Sequence, residues 1–80
     1  MKGYERLKVL KNDDKLVIST IARSEGKILQ KELTAITKLP GYKITRILNR
    51  LEGLGVISRE KYGMTNIIHL KFEPEEMPEL

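Results

Sequence analysis

Between residues 42 and 54 apolar side chains recur at helical spacing. Turned by roughly 100° per residue, Ile44, Ile47, Leu48, Leu51 and Leu54 share one face about 120° wide. The opposite face carries Tyr42, Arg46 and Asn49, flanked by Lys43, Thr45 and Arg50. A helix over about 41–54 therefore has one side to bury. Its other side offers two arginines, a lysine, an amide, a hydroxyl and a phenol, the groups that bind phosphates and base edges.

The pattern on either side predicts the rest. Asn12, Asp13 and Asp14 supply helix-start chemistry, a capping side chain and then acid at the positive end of the helix dipole. The helix they open is expected to run to about Glu25, with Val17, Ile18 and Ile21 inward and Ala22 at the margin. Gly26 is the residue expected to end it in the left-handed conformation. Lys27-Ile28-Leu29 reads as a short strand. Gln30 to Thr37 reads as a helix with Leu33 and Ile36 turned inward. Lys38-Leu39-Pro40-Gly41 is a tight turn with Leu39 as its plug, and Pro40 suits a helix start. Beyond Gly55, Val56–Lys61 and Asn66–Phe72 are β-rich, joined by Tyr62-Gly63-Met64-Thr65. Ile68, Leu70 and Phe72 alternate with Ile67, His69 and Lys71, which puts the first set on the core. The pattern leaves open which of Val56 and Ile57 faces inward.

In order, residues 30–72 give helix, turn, helix, glycine stop and hairpin. That is the layout of a winged helix-turn-helix: an α+β, mostly α fold of three helices with a C-terminal β-hairpin wing. The expected organisation is an N-terminal arm over 1–11, the winged-helix domain over 12–72 and an acidic, disordered tail over 73–80. The arm holds Tyr4, Leu7, Val9 and Leu10, whose spacing fits a short helix or an extended segment equally. Four apolar residues there are expected to pack on the domain or on a second copy, which makes a homodimer through the arm a candidate.

Charge sharpens this reading. All fifteen Lys and Arg lie within residues 2–71, with seven of the eleven acids, so residues 1–72 carry a net +8. Glu73, Glu75, Glu76 and Glu79 give the tail −4. A body this basic favours a polyanionic partner. The tail reads either as a solubilising extension or as an internal competitor for the basic face. With no cysteine among the 80 residues, disulfides and cysteine-based zinc sites are excluded. No apolar run approaches the roughly 18 residues of a membrane span. The first residues lack the apolar core of a signal peptide. A cytoplasmic protein with no membrane partner is expected.

The words Leu29-Gln30-Lys31-Glu32-Leu33, Ile44-Thr45-Arg46-Ile47-Leu48-Asn49-Arg50-Leu51-Glu52 and Leu54-Gly55-Val56-Ile57 resemble the MarR-like winged-helix DNA-binding domains. The likeness is to the short archaeal versions in particular and spans roughly residues 12–72. It implies that the second helix of the motif enters the major groove of double-stranded DNA while the wing touches the adjacent backbone or minor groove. Carried over, Tyr42, Lys43, Thr45, Arg46, Asn49 and Arg50 lie at the groove, and Arg59, Lys61 and Asn66 are wing contacts. The chain departs from the family in two ways. Pro40-Gly41-Tyr42 stands where Ser or Thr hydroxyls usually begin the recognition helix. No long terminal helix for dimerisation is in evidence.

Other chemistry is not indicated. His69 stands alone on a strand and reads as a solvent-facing residue, with no companions at metal-ligand spacing. Asp13 and Asp14 are accounted for by a helix start. No nucleophile–base set, phosphate-cradling glycine loop or paired carboxylates can be assembled, so neither an enzyme nor a cofactor or metal is expected. The expected function is a DNA-binding transcription regulator. The alternative is a winged helix used for protein–protein assembly. Binding to RNA or single strands is disfavoured by the few aromatics.

Overall fold

Twelve aliphatic side chains, drawn from every element, meet in one core. The computed structural model describes residues 12–71. In chain order these form α1 (Asn12–Arg23), β1 (Lys27–Leu29), α2 (Gln30–Thr37), α3 (Gly41–Gly53), β2 (Ile57–Tyr62) and β3 (Thr65–Leu70). The arm over 1–11, Phe72 and the tail over 73–80 lie outside the described residues.

The expected stripes are the buried ones. Val17, Ile18 and Ile21 of α1 pack against Leu33 of α2 and against Ile44, Ile47, Leu48 and Leu51 of α3. Leu39 and Leu54 sit half-buried at the margin. Both Val56 and Ile57 are buried, which resolves the choice that alternation left open. Removing a core side chain, as in Leu48→Ala, costs about 2–5 kcal/mol, a large share of the stability of so small a domain.

One expected inward residue is not inward. Ile36 is 60% exposed. Helix α2 has only eight residues. Leu33 fills the one turn that faces the core, and Ile36, turned roughly 60° from it at helical spacing, falls past the edge.

Helix ends follow from local hydrogen bonding. α3 closes with Gly55 at φ +76°, the Gly55 N–H donating to the Glu52 carbonyl and the Val56 N–H to the Leu51 carbonyl. This is a Schellman closure, and the residues that make it, Val56 and Leu51, are both buried in the core. α1 closes the same way, but earlier than Glu25. The Glu25 N–H donates to Ala22 and the Gly26 N–H to Ile21. Glu25 itself takes φ +63°, so the first left-handed position falls to a glutamate, with Gly26 following at φ +84°. Lys38 takes φ +60° at the end of α2, turning the chain sharply into Leu39 and Pro40.

The sheet is antiparallel with order β1-β3-β2. Lys27-Ile28-Leu29 pairs with Ile67–His69, as a third strand beside the hairpin. The hairpin is tighter than the four-residue loop expected: Tyr62 pairs with Thr65, leaving only Gly63 and Met64 in the turn. Gly63 sits at φ +59°, the sign that the first position of a tight type II′ turn requires. Ile57, Ile68 and half-buried Leu70 face the core, so α3 is clamped between α1 and the wing.

Candidate nucleic-acid interface

With its apolar face buried, α3 turns a continuous arc outward. At roughly 100° per residue it runs from Glu52 through Thr45, Asn49, Tyr42 and Arg46 to Arg50 and Lys43. All seven residues are exposed. The arc is fastened along both edges.

One edge meets the first turn of α1. Lys43 Nζ lies 2.9 Å from Asp13 Oδ2. Arg50 Nη1 donates to Asp14 Oδ2 at 2.8 Å. These two pairs differ in burial. The Asp13 and Lys43 side chains are both open to solvent. The Asp14 side chain is 2% exposed and that of Arg50 39%, so a buried carboxylate holds a cation that reaches the surface. The hydrogen bond and the charge of Asp13 raise the pKa of Lys43 above its ordinary value. Between α1 and α3 runs a groove of about 260 Å³, lined by Asp13, Asp14, Lys43, Arg46, Ile47 and Arg50.

The other edge meets the wing. Arg59 stands on β2 two residues beyond buried Ile57 and so on the same, inward side of the strand. Its Nη2 donates to Glu52 Oε1 at 2.6 Å and to Asn49 Oδ1 at 2.7 Å. Here the cation is the more covered partner, 23% exposed against 42% for Glu52. The hydrogen bond from Arg59 lowers the Glu52 pKa.

Between the edges stand Tyr42, Thr45 and Arg46. Among the described residues, none of the three makes a side-chain hydrogen bond or ion pair. Tyr42 is 69% exposed. The helix starts at Pro40 with no side-chain cap hydrogen bond.

The residues expected at the site thus fall into groups. Tyr42, Lys43, Thr45, Arg46, Asn49 and Arg50 share one arc, and Arg59 adjoins it. Lys61 is exposed near the tip of the wing. Asn66 is drawn elsewhere: its Nδ2 donates to Gln30 Oε1 at 3.0 Å, tying β3 to α2. His69 Nε2 lies 3.5 Å from Glu60 Oε1 on the hairpin. No group of three or more His, Cys, Asp or Glu able to hold a metal ion occurs among the described residues. No helix among them is long and apolar enough to cross a membrane.

Sequence reading missed the part played by Asp13, Asp14 and Glu52. For Asp14 a signal was present. It continues the Val17, Ile18, Ile21 stripe one turn earlier, and a carboxylate on a buried stripe calls for a buried partner. No local pattern marks Glu52, whose partner comes from the wing.

The fold has relatives. The structure of disulfide-formed AbfR, a winged helix, matches with a TM-score of 0.71 at 25% identity, covering 85% of this chain and 49% of that one. This chain has no cysteine, so the disulfide is not shared. Over 68 residues the chain is 35% identical to the uncharacterized protein MJ1254 of Methanocaldococcus jannaschii. That match takes in 85% of this chain but only 14% of the relative, a much longer protein. Residues 9–71 match the model of a domain of unknown function, and the chain belongs to that family, DUF7343.

Proposed function

We propose that this domain binds double-stranded DNA as a MarR-like winged helix of the short archaeal type, in the cytoplasm, and serves transcription regulation. The observation that carries the reading is the arc of α3. Arg46, a hydroxyl and a phenol stand clear on a helix whose edges are fastened to α1 and to the wing, which is what a helix inserted as a rigid body into the major groove needs. Arg46 and Tyr42 contact the groove and Lys43 and Arg50 the flanking phosphates, with Lys61 on the neighbouring backbone. Arg59 acts from behind, holding Asn49. Phosphate neutralisation supplies most of the affinity. Two copies joined through residues 1–11, on half-sites about 34–36 Å apart, supply selectivity.

Fluorescence anisotropy with random-sequence duplex, from about 50 to 200 mM salt, tests this. The expected result is a steep fall in affinity with salt and a loss of about tenfold in Arg46→Ala, as for one charged contact of roughly 1.4 kcal/mol. A flat salt response with no effect of Arg46→Ala overturns it. The second reading, a protein-assembly module, then takes its place. It is favoured by the exposed apolar side chains of Ile36, Tyr62 and Met64.

A further inference from the structure

Asp13 and Asp14 are neighbours in sequence, carry the same charge and both pair with α3, yet their environments are opposite. Asp14 is buried and gives one oxygen to Arg50 Nη1 at 2.8 Å. Arginine has five N–H donors in a fixed plane, so a guanidinium gripped through one nitrogen presents the others in a set direction. The side chain is 39% exposed, so it stays open to a partner from solvent. Asp13 and Lys43 are both in water, where a pair gains little and exchanges partners readily. A lysine ammonium is a point charge on a flexible stem, and a phosphate replaces the carboxylate without loss of geometry.

We propose that the two acids act in opposite senses on the α3 face: Asp14 is a positioning residue that aims Arg50 at the DNA backbone, and Asp13 is a competitor that occupies Lys43 until a phosphate displaces it. This rests on the DNA-binding reading above. Simple electrostatics predicts something else. Asp13→Asn and Asp14→Asn each remove one negative charge from the same turn beside the same helix. Acting by charge alone, both tighten binding to a polyanion. In the proposed arrangement they diverge. Asp13→Asn frees Lys43 and tightens binding. Asp14→Asn releases Arg50 from its aim and weakens binding.

The experiment uses the full 80-residue chain and a labelled random-sequence duplex at low salt, with folding of each variant checked by thermal melting. Asp13→Asn is expected to bind about threefold more tightly, in line with the small worth of an exposed pair. Asp14→Asn is expected to bind about fivefold more weakly, a fraction of what a charge-assisted phosphate contact contributes. In an Arg50→Ala background Asp14→Asn is expected to have no further effect, while in an Arg46→Ala background its effect persists. A merely structural role for Asp14 would lower affinity equally in both backgrounds, and that result overturns the proposal. So does tighter binding by Asp14→Asn. Should Asp14→Asn fail to fold, Arg50→Lys decides: it keeps the charge but not the planar fork, so a loss close to that of Arg50→Ala supports the aiming role and wild-type affinity overturns it. A wild-type protein indifferent to salt and to Arg46→Ala refutes the parent reading instead. The two failures are therefore distinct.

Discussion

On the α1 edge of α3 the acid is buried and the cation emerges; on the wing edge the cation is the more covered partner and the acid emerges. Both edges join α3 to a neighbour through an arginine and a carboxylate. What differs is which charge is left for a partner molecule. Arg50 keeps 39% of its side chain exposed, whereas Arg59, 23% exposed, spends two hydrogen bonds on Glu52 and Asn49 and so serves α3. An arginine on a DNA-binding fold is therefore a contact or a brace according to its partner's depth, and residue type does not distinguish them.

Stability gives the largest test of that difference. Arg50→Ala takes a charged hydrogen-bond donor from a buried carboxylate and is expected to cost about 2 kcal/mol, less than for a fully enclosed pair because Arg50 is partly solvated. For a domain this small that lowers the melting temperature by roughly 10 °C. Arg59→Ala leaves Glu52 free to take up water and is expected to cost about 1 kcal/mol or less. Thermal melts of the two variants compare them directly. Equal losses would mean that the edges are equivalent and the contrast is only apparent.

Much of this arrangement was legible along the chain. The stripe Ile44, Ile47, Leu48, Leu51 fixed the buried face of α3 because a thirteen-residue helix repeats its pattern often enough to leave one solution. The eight residues of α2 do not, and a single repeat cannot decide which way Ile36 faces. Lys27-Ile28-Leu29 was readable as the third strand. The position of the hairpin turn is legible but its width is not, since the pairing of Tyr62 with Thr65 depends on how Gly63 turns the chain. For the candidate site, the exposed arc of α3 followed from periodicity, but the fate of each cation did not. Asp14 and Arg50 are 36 residues apart, as are Gln30 and Asn66. Such pairings are made by packing, and only the misplaced charge on the α1 stripe hinted at one.

The stretch of α3 between the edges offers a smaller test. Gly53 ends the helix in line with Tyr42 and Arg46, and a Cβ built there meets nothing within 4 Å. Its φ is not positive, so alanine fits the backbone without strain. Gly53→Ala is expected to stabilise the domain by about 0.5–1 kcal/mol through helix propensity and a less disordered unfolded chain. Urea melts would show it as a higher midpoint at unchanged slope. A lower midpoint would mean that the arc is packed against something at that end, and that it is less open than its edges imply.

The smallest expected effect separates the edges by pH. Glu52 has its pKa lowered from an ordinary 4.5, chiefly by the hydrogen bond from Arg59. A carboxyl that ionises more readily folded than unfolded stabilises the fold above the unfolded value and loses that contribution as pH falls through the folded one. The wing edge thus weakens in acid. Lys43 has its pKa raised from 10.5 by the hydrogen bond and charge of Asp13. Its contribution is complete below 10.5 and is lost as pH rises through the raised value. The exposed pair on the α1 edge thus weakens in alkali. Both groups are well solvated, so the effects are small and are best read as differences between variants. Urea midpoints of Arg59→Ala should fall less steeply than wild type below pH 4.5, and those of Asp13→Asn less steeply above pH 10.5. Parallel curves for Arg59→Ala and wild type in acid would mean that the Glu52 contact is not maintained in solution, and Asn49 would then be free of its brace.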